Sequence, residues 1–306
     1  MTRPRIGLAL GSGAGRGWAH IGVIRALVAE GIRPDIVAGT SIGALVGGVW
    51  LADHLDVLED WARGLNRMRI LRYLDLSLSA GGLIGGRRLT RLLNDNLGDM
   101  RVEDLSVPFA AVATELETGH EIWLRRGPLV DALRASYALP GVFTPHEIDN
   151  QALVDGALVN PVPVSVCRAF GARLVIAVNL NADMFGSRRT PSPAQAATAT
   201  NGNGSNGGNL LSQLFGQAEG APGLFNVMVA SLGILQDRIS RSRLAGDPPD
   251  VIIAPKVGHI GLLEFDQAPD AIAAGEDAVR QTMPTLHQAL AVLGEHAPPR
   301  GDQGTP

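Results

Sequence analysis

The chain contains a single lysine and a single cysteine, and both shortages narrow the chemistry that it can perform. The phosphate-binding loop of a nucleotide hydrolase needs a lysine after its glycines. No Lys-Ser/Thr pair follows the glycine-rich residues 11–17. A serine–lysine dyad would have to use Lys256, far along the chain beside Pro255. Cys167 cannot form a disulfide within the chain, so we expect a reducing compartment and a thiol packed in the core.

The sequence also lacks an excess of positive charge and any long uninterrupted apolar run. Its formal net charge of −4 and its pI near 6.0 give no general attraction to the phosphates of nucleic acids. Residues 36–52 are uncharged, but they are fewer than the about 20 residues of a membrane span and are interrupted by glycines. Residues 6–10 are too short an apolar stretch for a secretory signal. We therefore expect a cytoplasmic protein without a nucleic-acid partner, and we interpret residues 36–52 as core.

Length and composition favour one large domain. A chain of 306 residues with 45% apolar residues can bury a large core. We predict a single domain over residues 1–300 and a short tail over residues 301–306. Residues 187–222 are rich in glycine, asparagine, alanine, serine, threonine and proline, a composition that buries too little apolar surface to order itself. We predict that they form a disordered insert.

The N-terminal part of the chain alternates strands and helices. The pattern predicts strands at residues 5–10 and 36–38 and helices at residues 17–30 and 44–51. Such β-α repeats favour an α/β fold with a parallel sheet and right-handed crossovers, whose functional loops lie beyond the C-terminal ends of the strands. Further strands are predicted at residues 109–113, 121–124, 152–154, 174–179 and 251–254, and a further helix at residues 224–245.

The stretch from Asp53 to Gly98 has a helical and basic pattern. Its arginines surround an apolar side that includes Trp61 and Leu65. We interpret the stretch as a solvated amphipathic helix. The alternatives are a face that meets anionic lipid or a lid over an acyl site.

Ser41 is the candidate nucleophile. It lies in Gly39-Thr40-Ser41-Ile42-Gly43, between a predicted strand and a predicted helix, which is the pattern of a nucleophile elbow. Glycines suit both flanks because such a turn crowds backbone against backbone and can require a positive φ.

A serine hydroxyl needs a partner that takes its proton, and the sequence offers two. Asp155 ends an apolar strand, and Gly156 and Ala157 follow it in a turn. Desolvation beside Ser41 would raise the pKa of Asp155 and make it a better base. His259 would instead complete the chain order of the α/β-hydrolases, although those enzymes build several strands before the elbow. A Ser-Asp dyad and a Ser-Asp-His triad both stay open at this point.

The glycine-rich loop is the candidate oxyanion hole. Free backbone N–H groups at a loop-to-helix junction can hold the negative charge that develops on a carbonyl oxygen. We assign Gly13 and Ala14 as the donors. The residues expected to support the loop are Gly11, Ser12, Gly15, Arg16 and Gly17. A dinucleotide-binding fingerprint is the competing interpretation, but its third glycine would fall on Arg16 or Trp18.

Four segments together carry a resemblance to a known family. They are residues 8–23, 39–43, 134–143 and 154–161. With them, the chain resembles the patatin-like phospholipases, particularly bacterial members related to the catalytic domain of neuropathy target esterase. The resemblance implies a three-layer α/β/α fold with a mainly parallel central sheet, a dyad of Ser41 and Asp155, and an oxyanion loop at residues 12–17. Family members commonly have glycines where this chain has Ser12 and Ala14.

The resemblance also implies the hydrolysis of acyl esters in lipids through an acyl-enzyme, without a cofactor. We expect no metal site either, because the histidines are scattered and Cys167 stands alone. The expected partner is a lipid or another acyl ester, with peripheral contact to the anionic inner face of a membrane as a further expectation. A catalytically weak or inactive regulatory protein on the same fold is the alternative. Both phospholipase and lysophospholipase activity fit the pattern.

Overall fold

The computed structural model describes residues 5–66, 82–84, 87–183 and 224–295. The predicted insert at residues 187–222 and the predicted tail at residues 301–306 lie outside the described residues, as do residues 67–81 of the basic stretch. In the part of the chain that is described, no helix is long and apolar enough to cross a bilayer.

The described residues form an alternating series of strands and helices. The strands are β1 (Ile6–Leu10), β2 (Ile36–Thr40), β3 (Gly82–Ile84), β4 (Phe109–Glu115), β5 (Glu121–Leu124), β6 (Gly141–Phe143), β7 (His146–Ile148), β8 (Gln151–Asp155), β9 (Leu174–Val178) and β10 (Val251–Ile253). The α-helices are α1 (Ala19–Ala29), α2 (Ile42–Leu51), α3 (Leu55–Arg63), α4 (Arg87–Leu97), α5 (Leu129–Ser136), α6 (Val164–Ala169), α7 (Leu224–Gly246) and α8 (Ala268–Glu295). The strands and helices predicted for residues 5–51 are confirmed, with small differences at their ends.

The main sheet follows the order β10-β9-β1-β2-β4-β8-β7, and β5 pairs with β4. Neighbouring strands from β10 to β4 are parallel, whereas β5, β7 and β8 pair in antiparallel fashion. Strands β1, β2 and β9 are buried along their whole length, which is typical of a parallel sheet covered on both faces. The predicted mainly parallel central sheet is confirmed.

Side chains along the strands alternate between two separate cores. Leu8 and Leu10 pack in the larger core with α1, α2 and α8, whereas Ala9 packs on the other face with Val166 and Cys167 of α6. Because successive side chains of a strand point to opposite faces, each face of the sheet needs its own helical layer. The two layers confirm the three-layer α/β/α arrangement. Cys167 is a buried free thiol in the core, as the sequence predicts.

The helical interpretation of the stretch from Asp53 to Gly98 is wrong in part. Its described residues form α3, the short strand β3 and α4. Strand β3 pairs in parallel with β6 in a separate two-stranded sheet. The apolar pair Leu83-Ile84 lies between glycines, and this local break from the helical pattern is the sequence signal for the strand.

The pairing of β4 brings two distant parts of the chain together. Strand β2 runs along the first half of β4, where Thr40 lies opposite Val112. Strand β8 runs along the second half, where Asp155 lies opposite Ala113. Strand β5 pairs with residues 111–114 of β4, and some of these residues also pair with β2 or with β8. Because a residue in a sheet has one neighbouring strand on each side, β5 lies on one edge of β4, and β2 and β8 share the other. The C-terminal ends of β2 and β8 therefore meet on one edge of β4, at neighbouring positions.

Glycines lie at the closest approach between α1 and α8. A Cβ added to Gly22 of α1 would lie far inside van der Waals contact of the Ile272 carbonyl. A Cβ added to Gly275 of α8 would do the same to the Ala19 carbonyl. The two backbones therefore pack against each other directly, and this packing fixes the end of α1 that follows the glycine-rich loop.

We expect Gly22→Ala to lower the free energy of unfolding by about 1–3 kcal/mol, because the added methyl group forces the helices apart. Gly246→Ala at the end of α7 is the matched control. Nothing lies within 4 Å of a Cβ added there, and alanine is the better helix former. Urea unfolding of both variants measures the difference. A Gly22→Ala protein as stable as the wild type would contradict the packing of α1 on α8.

Candidate active site

Ser41 lies at the junction of β2 and α2 in an unusual backbone conformation. Its φ is 58° and its ψ is −125°, a combination that is costly for a residue with a side chain. The flanking glycines do not have positive φ. A Cβ added to Gly39 would instead press on the backbone of Ala44, and one added to Gly43 would press on the Leu10 carbonyl. The glycines therefore permit close backbone approach, and the positive φ falls on Ser41 itself.

A hydrogen bond joins Ser41 to Asp155. The Ser41 Oγ donates to Asp155 Oδ2 at 2.6 Å, and the two residues are 7% and 1% exposed. The second carboxylate oxygen, Oδ1, accepts the N–H of Ala157 at 2.8 Å, which fixes the orientation of the carboxylate. A Cβ added to Gly156 would clash with the Val112 carbonyl, so a glycine is needed where this turn packs on β4.

Burial raises the pKa of Asp155 to about 7, because desolvation penalises the charged carboxylate. The hydrogen bonds from Ser41 and Ala157 lower the pKa but do not cancel this effect. A carboxyl group with such a pKa is balanced between its two protonation states near neutral pH. It can therefore both accept and return a proton during a reaction.

Two buried hydroxyl groups that sequence reasoning missed hold the pair in place. The Ser136 Oγ accepts the N–H of Ser41 at 2.9 Å and donates to the Val112 carbonyl at 2.6 Å. The Thr114 Oγ1 donates to the backbone carbonyl of Asp155 at 2.9 Å. Ser136 lies within the segment 134–143 that carries the family resemblance, which was the available signal for it.

Some backbone N–H groups in the loop of residues 11–17 donate hydrogen bonds within the protein, and others do not. The N–H of Ser12 donates to the Pro161 carbonyl at 2.8 Å. The N–H groups of Gly11 and Gly15 donate to the carbonyls of Val178 and Leu262, respectively. Among the described residues, no acceptor faces the N–H groups of Gly13 and Ala14. These two are the donors predicted for the oxyanion hole, and Ala14 is partly exposed to solvent.

The loop also packs against the nucleophile elbow. A Cβ added to Gly17 would clash with the side chain of Ile42, the residue after Ser41. On the other side of Ser41, the Thr40 Oγ1 donates to the Asn160 carbonyl at 2.8 Å. The predicted elbow residues therefore link the serine to the oxyanion loop and to the turn that follows Asp155.

Two buried side chains brace the loop. The Arg16 Nε donates to the Ile260 carbonyl at 2.7 Å. The His20 Nε2 lies 2.7 Å from the Gly11 carbonyl oxygen. Burial lowers the pKa of His20 to about 4, so the ring is neutral at pH 7 and Nε2 donates this hydrogen bond. Sequence reasoning missed the role of His20, although residues 8–23 carry the family resemblance, because a lone histidine on an apolar helix does not show what it contacts.

The other candidate bases are not joined to the pair. His259 and Lys256 both occupy exposed positions after β10. Over the described ranges, the Asp155 carboxylate is hydrogen-bonded to Ser41 and Ala157 and to no histidine. The same ranges contain no group of three or more His, Cys, Asp or Glu side chains that could hold a metal ion.

The hydrogen-bonded pair lies inside a region that matches a known protein family. Residues 8–168 match the family described as patatin-like phospholipase. The chain belongs to the patatin-like phospholipase family. Membership of this family implies the general activity of a lipid acyl hydrolase.

Relatives of this patatin-like chain include proteins named for neuropathy target esterase. An uncharacterized NTE family protein of Mycobacterium tuberculosis is 35% identical over an alignment 331 positions long, which covers 92% of each chain. Neuropathy target esterase sws of Drosophila melanogaster is 32% identical over 187 residues, which cover 59% of this chain and 13% of the fly protein. The crystal structure of VipD from Legionella pneumophila has a TM-score of 0.50 and 13% identity, and the match covers 94% of this chain and 67% of that chain. At this identity, VipD supports the fold alone.

The conformation of Ala14 in this patatin-like loop gives a testable prediction. Its φ of 48° is left-handed, which costs an L-residue roughly 1–2 kcal/mol, although glycine loses more entropy on folding. We expect Ala14→Gly to leave the free energy of unfolding unchanged or to raise it by up to about 1 kcal/mol. Ala26→Gly, in the helical interior of α1, is the control and should lose about 1 kcal/mol. Urea unfolding measures both values, and an equal loss in the two variants would contradict the left-handed backbone.

Proposed function

We propose that the chain is a serine esterase that hydrolyses acyl esters of phospholipids or lysophospholipids, with Ser41 as the nucleophile and Asp155 as the base. The observation that carries this proposal is the buried hydrogen bond of 2.6 Å from the Ser41 Oγ to the Asp155 Oδ2. The proposal is also supported by the N–H groups of Gly13 and Ala14, which donate no hydrogen bond among the described residues and lie on a loop that packs against the elbow.

In the first half of the proposed reaction, Asp155 takes the proton of Ser41 while Oγ attacks the carbonyl carbon of the ester. The carbonyl oxygen becomes an oxyanion, which accepts hydrogen bonds from Gly13 and Ala14. The tetrahedral intermediate then collapses, the leaving alcohol receives the proton from Asp155, and Ser41 remains acylated. In the second half, Asp155 takes a proton from water and the hydroxide adds to the acyl carbon. The bond from this carbon to the Ser41 Oγ then breaks, the fatty acid leaves, and Asp155 returns the proton to Oγ.

Two features of the site support an aspartate acting without histidine. The pKa of Asp155 near 7 makes the carboxylate a far stronger base than an aspartate in water. Helix α2 begins directly after Ser41, so the positive end of its dipole stabilises the negative charge that develops there. A triad that includes the exposed His259 is the alternative mechanism.

A regulatory protein on the same fold is the second candidate function. It is favoured by the low exposure of Ser41, 7%, because a substrate must enter a nearly closed site. Hydrolysis of p-nitrophenyl butyrate by the wild-type protein would exclude a purely regulatory role. The cytoplasmic location and the absence of a cofactor stay predictions from the sequence.

We expect Ser41→Ala and Asp155→Asn each to lower kcat for p-nitrophenyl esters on the order of 10³-fold or more, because nucleophile and base act as one unit. Steady-state kinetics measure the loss, and thermal melts show that each variant is folded. His259→Ala is the control and should turn over substrate at nearly the wild-type rate. A loss in His259→Ala as large as that in Asp155→Asn would favour the triad. A normally active Ser41→Ala protein would refute the whole proposal.

The raised pKa of Asp155 also predicts how the activity depends on pH. Only the ionised carboxylate accepts the serine proton, and the pKa is about 7. We therefore expect kcat/KM to rise with pH through about 7 and to level off above it. A pH profile with a soluble ester tests this expectation. An inflection near 3.8, the usual aspartate value, would show that Asp155 is not the group that titrates in the reaction.

A further inference from the structure

Helix α7 lies beside the candidate active site, and one of its faces packs inward. The buried Gln236 accepts a hydrogen bond at Oε1 from the Ser12 Oγ at 3.5 Å. Further along the helix, the Arg243 Nε donates to the carbonyl of Val159 at 3.0 Å. These contacts fix α7 against both the oxyanion loop and the turn that follows Asp155.

The opposite face of α7 is apolar and exposed. Val227, Ile234 and Leu235 are 44%, 48% and 52% exposed. With the exposed Ala230 and Ser231 they recur at helical spacing along one face, and we call these five residues the α7 stripe. Single exposed apolar residues are normal on a protein surface, but a continuous run is typical of an interaction surface.

Exposed arginines continue the α7 stripe toward the end of the helix. Arg238 follows Ser231 by seven residues, and Arg241 follows Ile234 by seven, so both lie on the same face. Arg241 pairs with Asp237, whose side chain is 2% exposed, so at the outer surface it is the guanidinium of Arg241, 54% exposed, that meets solvent. An apolar run next to arginines is the pattern of a helix that lies in the interface of an anionic bilayer.

The described part of the basic stretch fits such a bilayer less well. Arg63 of α3 pairs with Glu59, and Arg25 of α1 pairs with Glu59 and Asp56. The Asp56 side chain is 84% exposed, so negative charge reaches the surface beside these arginines. The surface around α3 therefore presents exposed groups of both charges, whereas the exposed face of α7 presents apolar side chains and guanidinium groups.

We propose that the α7 stripe is the surface by which the protein docks on an anionic phospholipid bilayer. Val227, Ile234 and Leu235 enter the acyl region, while Arg238 and Arg241 contact lipid phosphates. The inward face of the same helix then places the active site next to the bilayer surface. This inference rests on the proposed function, because a hydrolase of bilayer lipids must bind the aggregate that contains its substrate.

The test separates docking from catalysis by measuring vesicle binding with the Ser41→Ala protein. Vesicles of phosphatidylcholine and phosphatidylglycerol are sedimented with this protein, alone or with Ile234→Asp or Leu235→Asp added. We expect each aspartate to weaken binding by about tenfold or more, because it removes buried apolar area and adds negative charge. Val292→Asp on α8 is the matched control, since Val292 is 49% exposed on another surface, and its binding should not change. Salt should weaken the binding of the parent protein.

Kinetic and oligomeric-state measurements distinguish bilayer docking from a contact between two copies of the chain. With Ser41 intact, Ile234→Asp should lower hydrolysis of vesicle phospholipid about tenfold more than hydrolysis of p-nitrophenyl butyrate. Equal vesicle binding by Ile234→Asp, Leu235→Asp and Val292→Asp, with unchanged thermal melts, would overturn the docking surface. A wild-type dimer that Ile234→Asp converts into monomers, without any vesicle binding, would also overturn it. Vesicle binding that needs Ile234 in a protein with no esterase activity would support the docking surface and refute the proposed function.

Discussion

The register of two strands on one edge of β4 determines whether the site exists. Ser41 and Asp155 are 114 residues apart in sequence, yet β2 ends opposite Val112 and β8 ends opposite Ala113. A slip of one residue in β8 would turn the carboxylate to the other face of the sheet. The buried parallel strands beside β2 hold this edge in place. The hydrogen bond between the two side chains is therefore a consequence of the whole sheet.

The site combines features that reduce stability with contacts that compensate for them. Ser41 has a costly backbone conformation, and burial raises the pKa of Asp155 from 3.8 to about 7. Because the folded-state pKa lies above the unfolded value, the stabilisation from the bound proton is present below about pH 4 and is lost as the pH rises through about 7. Reactivity as a base and loss of this stabilisation thus occur over the same pH range. The hydrogen bond from the Ala157 N–H to Asp155 and the one from the Ser41 N–H to Ser136 fix both groups against this cost.

The sequence predicted the candidate pair because each member lies at a strand end with a recognisable local pattern. The elbow around Ser41 and the turn after Asp155 are short motifs. The β-α order does not bring them together, because β8 runs antiparallel to β4 and its C-terminal end meets that of β2 head-on. Ser136 and His20 both lie within segments that carry the family resemblance, but their roles were missed because these depend on contacts across the fold, which the segments themselves do not show. Strand β3 was missed because three residues are too few to show a period within a helical stretch. The periodicity of α7 predicted a helix, but the choice of its exposed face required the tertiary contact of Gln236 with Ser12.

The most direct test of the account is to map the site of labelling by a fluorophosphonate probe with mass spectrometry of digested protein. The probe reacts with a serine only where a base and an oxyanion hole activate it. We expect one adduct, on the peptide that contains Ser41, and a much slower reaction in Asp155→Asn. Esterase activity without an adduct on Ser41, or an adduct that forms equally fast in Asp155→Asn, would contradict the central claim that this carboxylate activates this hydroxyl.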